Sequence, residues 1–173
     1  MSKFAAFLRG INIGGHKKVP MSELKKIFEK IGLKNVKTLL ASGNVVFDGN
    51  KKLTNSISGT LEKTFGFPIE TIIIPFETID EIIESNPFKN VKITPKIRLY
   101  ITFMKEKQKT RIKTPFSLED NSFQIIKVTD SIIFSVLDLE KTGTTEGMGL
   151  LEKEFGKQIT TRNYNTIVKL AKL

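Results

Sequence analysis

The sequence predicts an α+β protein made of two tandem ferredoxin-like halves of βαββαβ type, the second lacking a regular first helix. Three observations lead there. Over residues 1–75, strand-like apolar runs and helix-spaced apolar stripes succeed one another in the order βαββαβ. A segment reading helix, glycine stop, strand recurs ninety positions further along the chain. Where the second half would place its first helix, the sequence carries no helical stripe.

Phe4 to Leu8 reads as the first strand. Met21, Leu24, Ile27, Phe28 and Ile31 follow at helical spacing until Gly32 stops them, and Pro20 suits the start of that helix. Val36 to Ala41 and Asn44 to Phe47 are apolar runs interrupted by Ser42-Gly43, which fits either a two-residue hairpin turn or a single bulged strand. Leu53, Ile57, Leu61 and Phe65 form a second helical stripe closed by Gly66, and Ile69 to Ile74 is a β-branched strand ended by Pro75. Thr78 with Glu81 makes a capping box for a short helix that stops before Asn86-Pro87. Strands are expected at Ile97 to Phe103, Phe123 to Thr129 and Ile132 to Leu137. A helix should carry Met148, Leu151 and Phe155 on one face, followed by a strand near Ile159 and a final helix with Tyr164, Ile167, Val168 and Ala171. Lys105 to Asn121 reads as a long loop.

The repeat lies between residues 61–71, LEKTFGFPIET, and residues 151–161, LEKEFGKQITT, identical at seven of eleven places. It points to an internal duplication. The organisation expected is a ferredoxin-like half over 1–75, a connecting helix over 76–88, and a second half with a C-terminal helix over 89–173.

No cysteine is present among the 173 residues, which excludes disulfides, thiol catalysis and thiolate metal sites. The apolar stretch near the N-terminus is too short for a secretory signal, and no run of about 18 apolar residues occurs, so a soluble cytoplasmic protein without a membrane partner is expected. The formal net charge is +10, yet lysine outnumbers arginine 24 to 4, a bias that base composition alone can produce. Distribution is more informative. Residues 1–40 hold nine basic and two acidic side chains, 64–88 hold none basic and five acidic, and 89–113 hold nine basic and one acidic. Such segregation steers anionic partners.

If the ferredoxin-like order holds, the loop after the first strand and the link between the second and third strands share one edge of the sheet. Arg9, Asn12, Gly14, Gly15, Lys18, Ser42 and Asn44 then converge, with His16 and Lys17 beside them. Two glycines ahead of a helix N-terminus let backbone N–H groups face a phosphate or carboxylate. Walker A spacing is absent, because His16 follows Gly15 and no Ser or Thr follows Lys17, and no GxGxxG occurs. His16, the only histidine, excludes multi-histidine metal sites but suits a lone general base, and Ser42 offers a hydroxyl in an ordinary turn pair. A second polar cluster, Thr160 to Thr166, contains Arg162, Asn163 and Asn165; Asn163 suits an N-cap, and Arg162 offers a planar fork for phosphate or carboxylate.

RGINIGGHKKVPMSEL at 9–24, LASGNVVF at 40–47, NPF at 86–88 and TTRNYNTIVKL at 160–170 resemble the signature blocks of a widespread bacterial family catalogued only as a domain of unknown function. The resemblance spans nearly the whole chain and implies a two-part α+β protein with no established activity. It places emphasis on Arg9, Gly10, Asn12, Gly14, Gly15, Pro20, Met21, Ser42, Gly43, Asn44, Arg162, Asn163, Asn165 and Thr166. This chain departs from the family's pattern at Lys17, Ala41 and Tyr164, where asparagine, glutamine and tryptophan are common.

The expected function is binding of a small phosphorylated or carboxylated ligand at a site joining Arg9 to Gly15, Ser42 to Asn44 and Arg162 to Thr166. The sequence assigns no cofactor, metal, oligomeric state or reaction. Nonspecific nucleic-acid binding through basic segments is the alternative, although strands such as Phe4 to Leu8, apolar at successive positions, do not offer a bare aromatic face. A protein-interaction role is the third reading.

Overall fold

A computed structural model describes residues 1–108, 110 and 112–173. Lys109 and Arg111, which belong to the expected long loop and basic stretch, lie outside the described residues. The protein is a mixed α/β chain with two antiparallel sheets, and it divides into two compact units: Met1–Glu81 with Leu170–Leu173, and Ile82–Lys169.

In the first unit, β1 (Ser2–Leu8), β2 (Lys34–Leu39), β3 (Asn44–Gly49) and β4 (Thr71–Pro75) form one sheet in the order β2-β3-β1-β4. All neighbours are antiparallel. Ala5, Ala6, Phe7 and Leu8 of β1 are all buried, as the unbroken apolar run requires. Helix α1 (Met21–Ile31) buries Leu24, Ile27 and Phe28, and its backbone ends where Gly32 turns left-handed at φ 101°. Pro20 stands at the N-cap position, with extended backbone, and its carbonyl accepts from the Leu24 N–H. The Leu53, Ile57, Leu61, Phe65 stripe is not one helix. It is split at Ser56 into α2 (Lys51–Asn55), capped by the Asn50 side chain, and α3 (Ile57–Phe65). Phe28, Leu61, Val45 and Phe47 meet in the core between α1, α3 and the sheet. Phe47 stacks on Phe4 and receives the edge of Phe28.

Helix α4 (Glu77–Ser85) straddles the division between the units. It begins before Thr78, so that residue sits inside the first turn and the expected capping box is replaced by the Phe76 carbonyl, which accepts from Ile79 N–H.

The second unit holds β5 (Ile97–Met104), β6 (Phe116–Ser117), β7 (Phe123–Val128), β8 (Ile132–Asp138) and β9 (Ile159–Asn163) in the order β6-β7-β8-β5-β9. Apart from the two-residue β6, this order places first, second, third and fourth strands as in the first unit. Helix α5 (Thr144–Phe155) packs Leu151 and Phe155 against Phe123, Ile125, Ile133 and Leu137. Helix α6 (Tyr164–Leu170) follows β9 directly. Among the described residues between β5 and β7 there is no helix; β6 is the only regular element there.

Candidate functional site

The segment between β1 and α1 is a folded-back arm rather than a glycine cradle at the helix end. Asn12 N–H donates to the Lys17 carbonyl and His16 N–H to the Ile13 carbonyl, and Ile13 bridges His16. Gly14 and Gly15, at φ 58° and 78°, form the tip of this small hairpin, as a I′-type turn demands. A Cβ at either would meet nothing within 4 Å, so the glycines serve conformation and face open space. They lie at the hairpin tip, several residues ahead of Met21 where α1 starts, so the expectation that they present N–H groups beside the helix N-terminus is corrected. Gly10, Asn12 and Lys17 also have positive φ, at 69°, 56° and 49°.

What holds the arm is Asn12. Its Nδ2 donates to the Val19 carbonyl at 3.0 Å and to the Ala41 carbonyl at 2.7 Å, and its Oδ1 accepts from Val19 N–H at 2.8 Å. The amide thus closes the base of the arm and ties it to the β2–β3 connection, Leu40 to Gly43. That connection is a four-residue link, neither a two-residue turn nor a bulged strand, with Leu39 facing Asn44 in register and Leu40 at φ 60°. Gly43 is packed: a Cβ there would lie 2.8 Å from Leu8 Cβ and 2.7 Å from Ile11 Cδ1, while its carbonyl accepts from Leu8 N–H. Asn44 is fully buried and donates from Nδ2 to the Leu39 carbonyl and to Ser42 Oγ.

Arg9, Asn12, Gly14, Gly15, Lys18, Ser42 and Asn44 therefore share one edge of the first unit. Their roles differ. Asn12 and Asn44 turn their amides into the protein and act as supports; Gly14, Gly15, Lys18 and Ser42 are exposed, and Arg9 is half-buried with its N–H on the Glu70 carbonyl. His16 and Lys17 are exposed on the same arm, and Lys17 Nζ stands 5.8 Å from the Phe67 ring centroid. No local signal in the sequence marks Lys17 as left-handed, because its conformation is imposed by the pairing of Asn12 with Lys17.

Arg162, Asn163 and Asn165 belong to the second unit. Arg162, on β9, is buried and donates through Nη1 to Thr160 Oγ1 at 2.8 Å and to the Thr161 carbonyl at 2.9 Å. Burial pulls its guanidinium down to about 10. Asn163 precedes α6, and its Oδ1 accepts from Asn165 N–H at 2.9 Å, an N-cap contact. Tyr164 packs edge-on to Phe88 of the NPF motif, and burial raises its phenol above the usual 10.

Among the described residues no cluster of three or more His, Asp or Glu is placed to hold a metal ion. No helix among them is long and apolar enough to cross a membrane.

A family model described as "Protein of unknown function (DUF1697)" matches residues 1–134. The chain belongs to this family. The matched stretch contains the Asn12 arm and the 40–43 connection and ends within β8, ahead of Arg162. A conserved bacterial protein, SP0830 from Streptococcus pneumoniae, is similar in structure, with a TM-score of 0.74 over 99% of this chain and 97% of that one. Sequence identity is 22%, so the likeness is one of fold. No curated protein matches the chain.

Proposed function

We propose that the exposed edge formed by the Asn12 arm and the Leu40 to Gly43 connection binds a small phosphorylated or carboxylated ligand, with Lys17 and Lys18 supplying positive charge and His16 an imidazole beside them. The observation that carries this is the left-handed backbone of Lys17 at φ 49°, held on an exposed arm by the three hydrogen bonds of Asn12. A non-glycine residue in that region costs about 1 kcal/mol or more, and such strain persists where surrounding structure over-determines it, most often at ligand sites. A plain strand-to-helix link needs only about two to six residues; this one runs from Arg9 to Pro20. An ordered arm presenting two ammonium groups and an imidazole is suited to an anion, and its fixed backbone limits the ordering cost of binding.

The same reading treats the two units as ferredoxin-like halves that arose by duplication. The common strand order and the 61–71 and 151–161 repeat support it.

The test is thermal stabilisation by inorganic phosphate, pyrophosphate and citrate at constant ionic strength, in the wild type and a Lys17→Gln, Lys18→Gln double variant. Ligand stabilisation follows RT ln(1 + [L]/Kd), about 2.7 kcal/mol at 100 Kd. Saturable stabilisation in the wild type, lost in the double variant, is expected. If no anion stabilises the wild type, or the variant responds equally, the proposal is wrong. An oligonucleotide that binds while the small anions do not would favour the nucleic-acid reading instead.

A further inference from the structure

The NPF motif at 86–88 takes no part in the edge described above. Phe88 is buried, its ring 5.0 Å from Tyr164 and 6.3 Å from Phe134. From this anchor the chain makes two tight turns, Lys89 N–H to the Asn86 carbonyl and Val91 N–H to the Phe88 carbonyl. The segment so fixed walls a cavity of about 560 Å³ over the sheet of the second unit. Ile97, Ile126 and Val136 contribute apolar lining, and Asn90, Lys92, Gln124 and Lys127 contribute polar groups.

A break in strand register brings Lys127 into this lining beside Gln124 and Ile126. In β7, Gln124 faces Val136 and Ile125 faces Ser135, but Lys127 faces Phe134, which leaves Ile126 as the extra residue of a bulge. Successive residues of a regular strand point to opposite faces. With the bulge, Ile125 enters the core against α5 while Gln124, Ile126 and Lys127 all line the cavity, and Lys127 Nζ lies 5.9 Å from the Phe134 ring centroid. Bulges re-aim side chains in this way next to binding sites.

We infer that the cavity binds a nucleoside monophosphate, or a small organic anion of the same build: a flat heterocycle with an amide-type edge and one phosphate. Its volume falls within the range of about 300–1,000 Å³ usual for small-molecule sites. No acidic side chain lines it, and Lys92 and Lys127 provide charge for a phosphate. Each primary amide carries a donor pair and an acceptor, so Asn90 and Gln124 match a ring edge that offers both. The aliphatic lining accepts the ring face. Among the described residues, the side chains of Asn90, Lys92 and Gln124 have no hydrogen-bond or ion-pair partner, so none must be released for binding.

Titration calorimetry on the full chain carrying Lys17→Gln and Lys18→Gln, which removes the ammonium groups of the arm, tests this with uridine, guanosine and adenosine monophosphates, the matching nucleosides, and inorganic phosphate. Saturable binding of at least one monophosphate is expected, with its nucleoside and phosphate alone each weaker by about tenfold or more. Lys127→Gln and Gln124→Leu, checked for an unchanged far-UV spectrum, should each weaken the monophosphate by about tenfold, whereas Lys153→Gln, exposed on α5 and outside the cavity, leaves it unaltered. The inference is overturned by lack of binding to every monophosphate below about 1 mM. It is equally overturned by undiminished binding in both cavity variants, by phosphate binding as tightly as the nucleotide, or by affinity that rises with oligonucleotide length.

Discussion

Replacing Asn12 by glycine removes the clasp of the arm while preserving its left-handed backbone, so hydrogen bonding is tested apart from strain. Three contacts are lost: two to Val19, whose residue is buried, and one to Ala41 at the surface. At a net value of about 0.5–1.5 kcal/mol each, with the surface bond at the low end, the loss comes to about 3 kcal/mol. Glycine's greater freedom in the unfolded chain adds about 0.5–1 kcal/mol. The total of about 3.5–4 kcal/mol corresponds, in a protein of this size, to a fall in Tm of about 7–16 °C. Asn12→Ala should be worse by about 1 kcal/mol, because alanine resists φ 56°. Asn12→Asp should stand between wild type and glycine, since it keeps the acceptor for Val19 N–H but turns a carboxylate oxygen on two carbonyls. Urea unfolding gives the global value, and amide exchange at Val19 reports the arm itself. A glycine variant within about 1 kcal/mol of wild type, with Val19 protection unchanged, would refute the clasp.

Two further predictions separate packing from conformation and charge from shape. Gly43→Ala combines left-handed strain with clashes at Leu8 and Ile11, and should cost about 2–5 kcal/mol in urea melts, whereas Gly15→Ala, with open space around it, should cost only the strain of about 1–2 kcal/mol; equal losses would contradict the packing argument. Asp120 is held below its ordinary 3.8 by hydrogen bonds from the Ser122 side chain and then from Ser122 N–H, at 2.9 Å. A depressed folded pKa gives stability that is present above 3.8 and lost as pH falls through the folded value. Asp120→Asn should therefore be less stable than wild type at neutral pH, with the gap narrowing in acid; a gap constant with pH would reject a role for the charge.

The elements with strong periodicity were legible from sequence. Helix α1 runs between Pro20 and Gly32 as its stripe and stop predict, and β5, β7 and β8 lie within one residue of the expected runs. The break between α2 and α3 was not, because Leu53, Ile57, Leu61 and Phe65 keep one spacing through it. What interrupts the helix is local competition: Ser56 Oγ donates to the Leu53 carbonyl and Thr54 Oγ1 to the Lys51 carbonyl. At the candidate edge, topology was enough to bring Arg9, Lys18 and Ser42 into one neighbourhood. It could not separate contact from support. The bond from Asn12 to Ala41 spans 29 positions, and the burial of Asn44 depends on its register opposite Phe7. The bulge at Ile126 was equally hidden, since QIIKV reads as an uninterrupted strand.

The irregular start of β2 bears on how the protein behaves at high concentration. This outer strand of the first sheet shifts register between Lys34 and Lys37 and carries Asn35 at φ 51° with its amide on Asp48. Lys34 and Lys37 are both exposed. A second chain approaching this margin meets a kinked backbone and two ammonium groups instead of a straight row of peptide donors and acceptors. Fibril growth by addition at β2 is therefore disfavoured, a safeguard written into the same few residues that give the strand its bend.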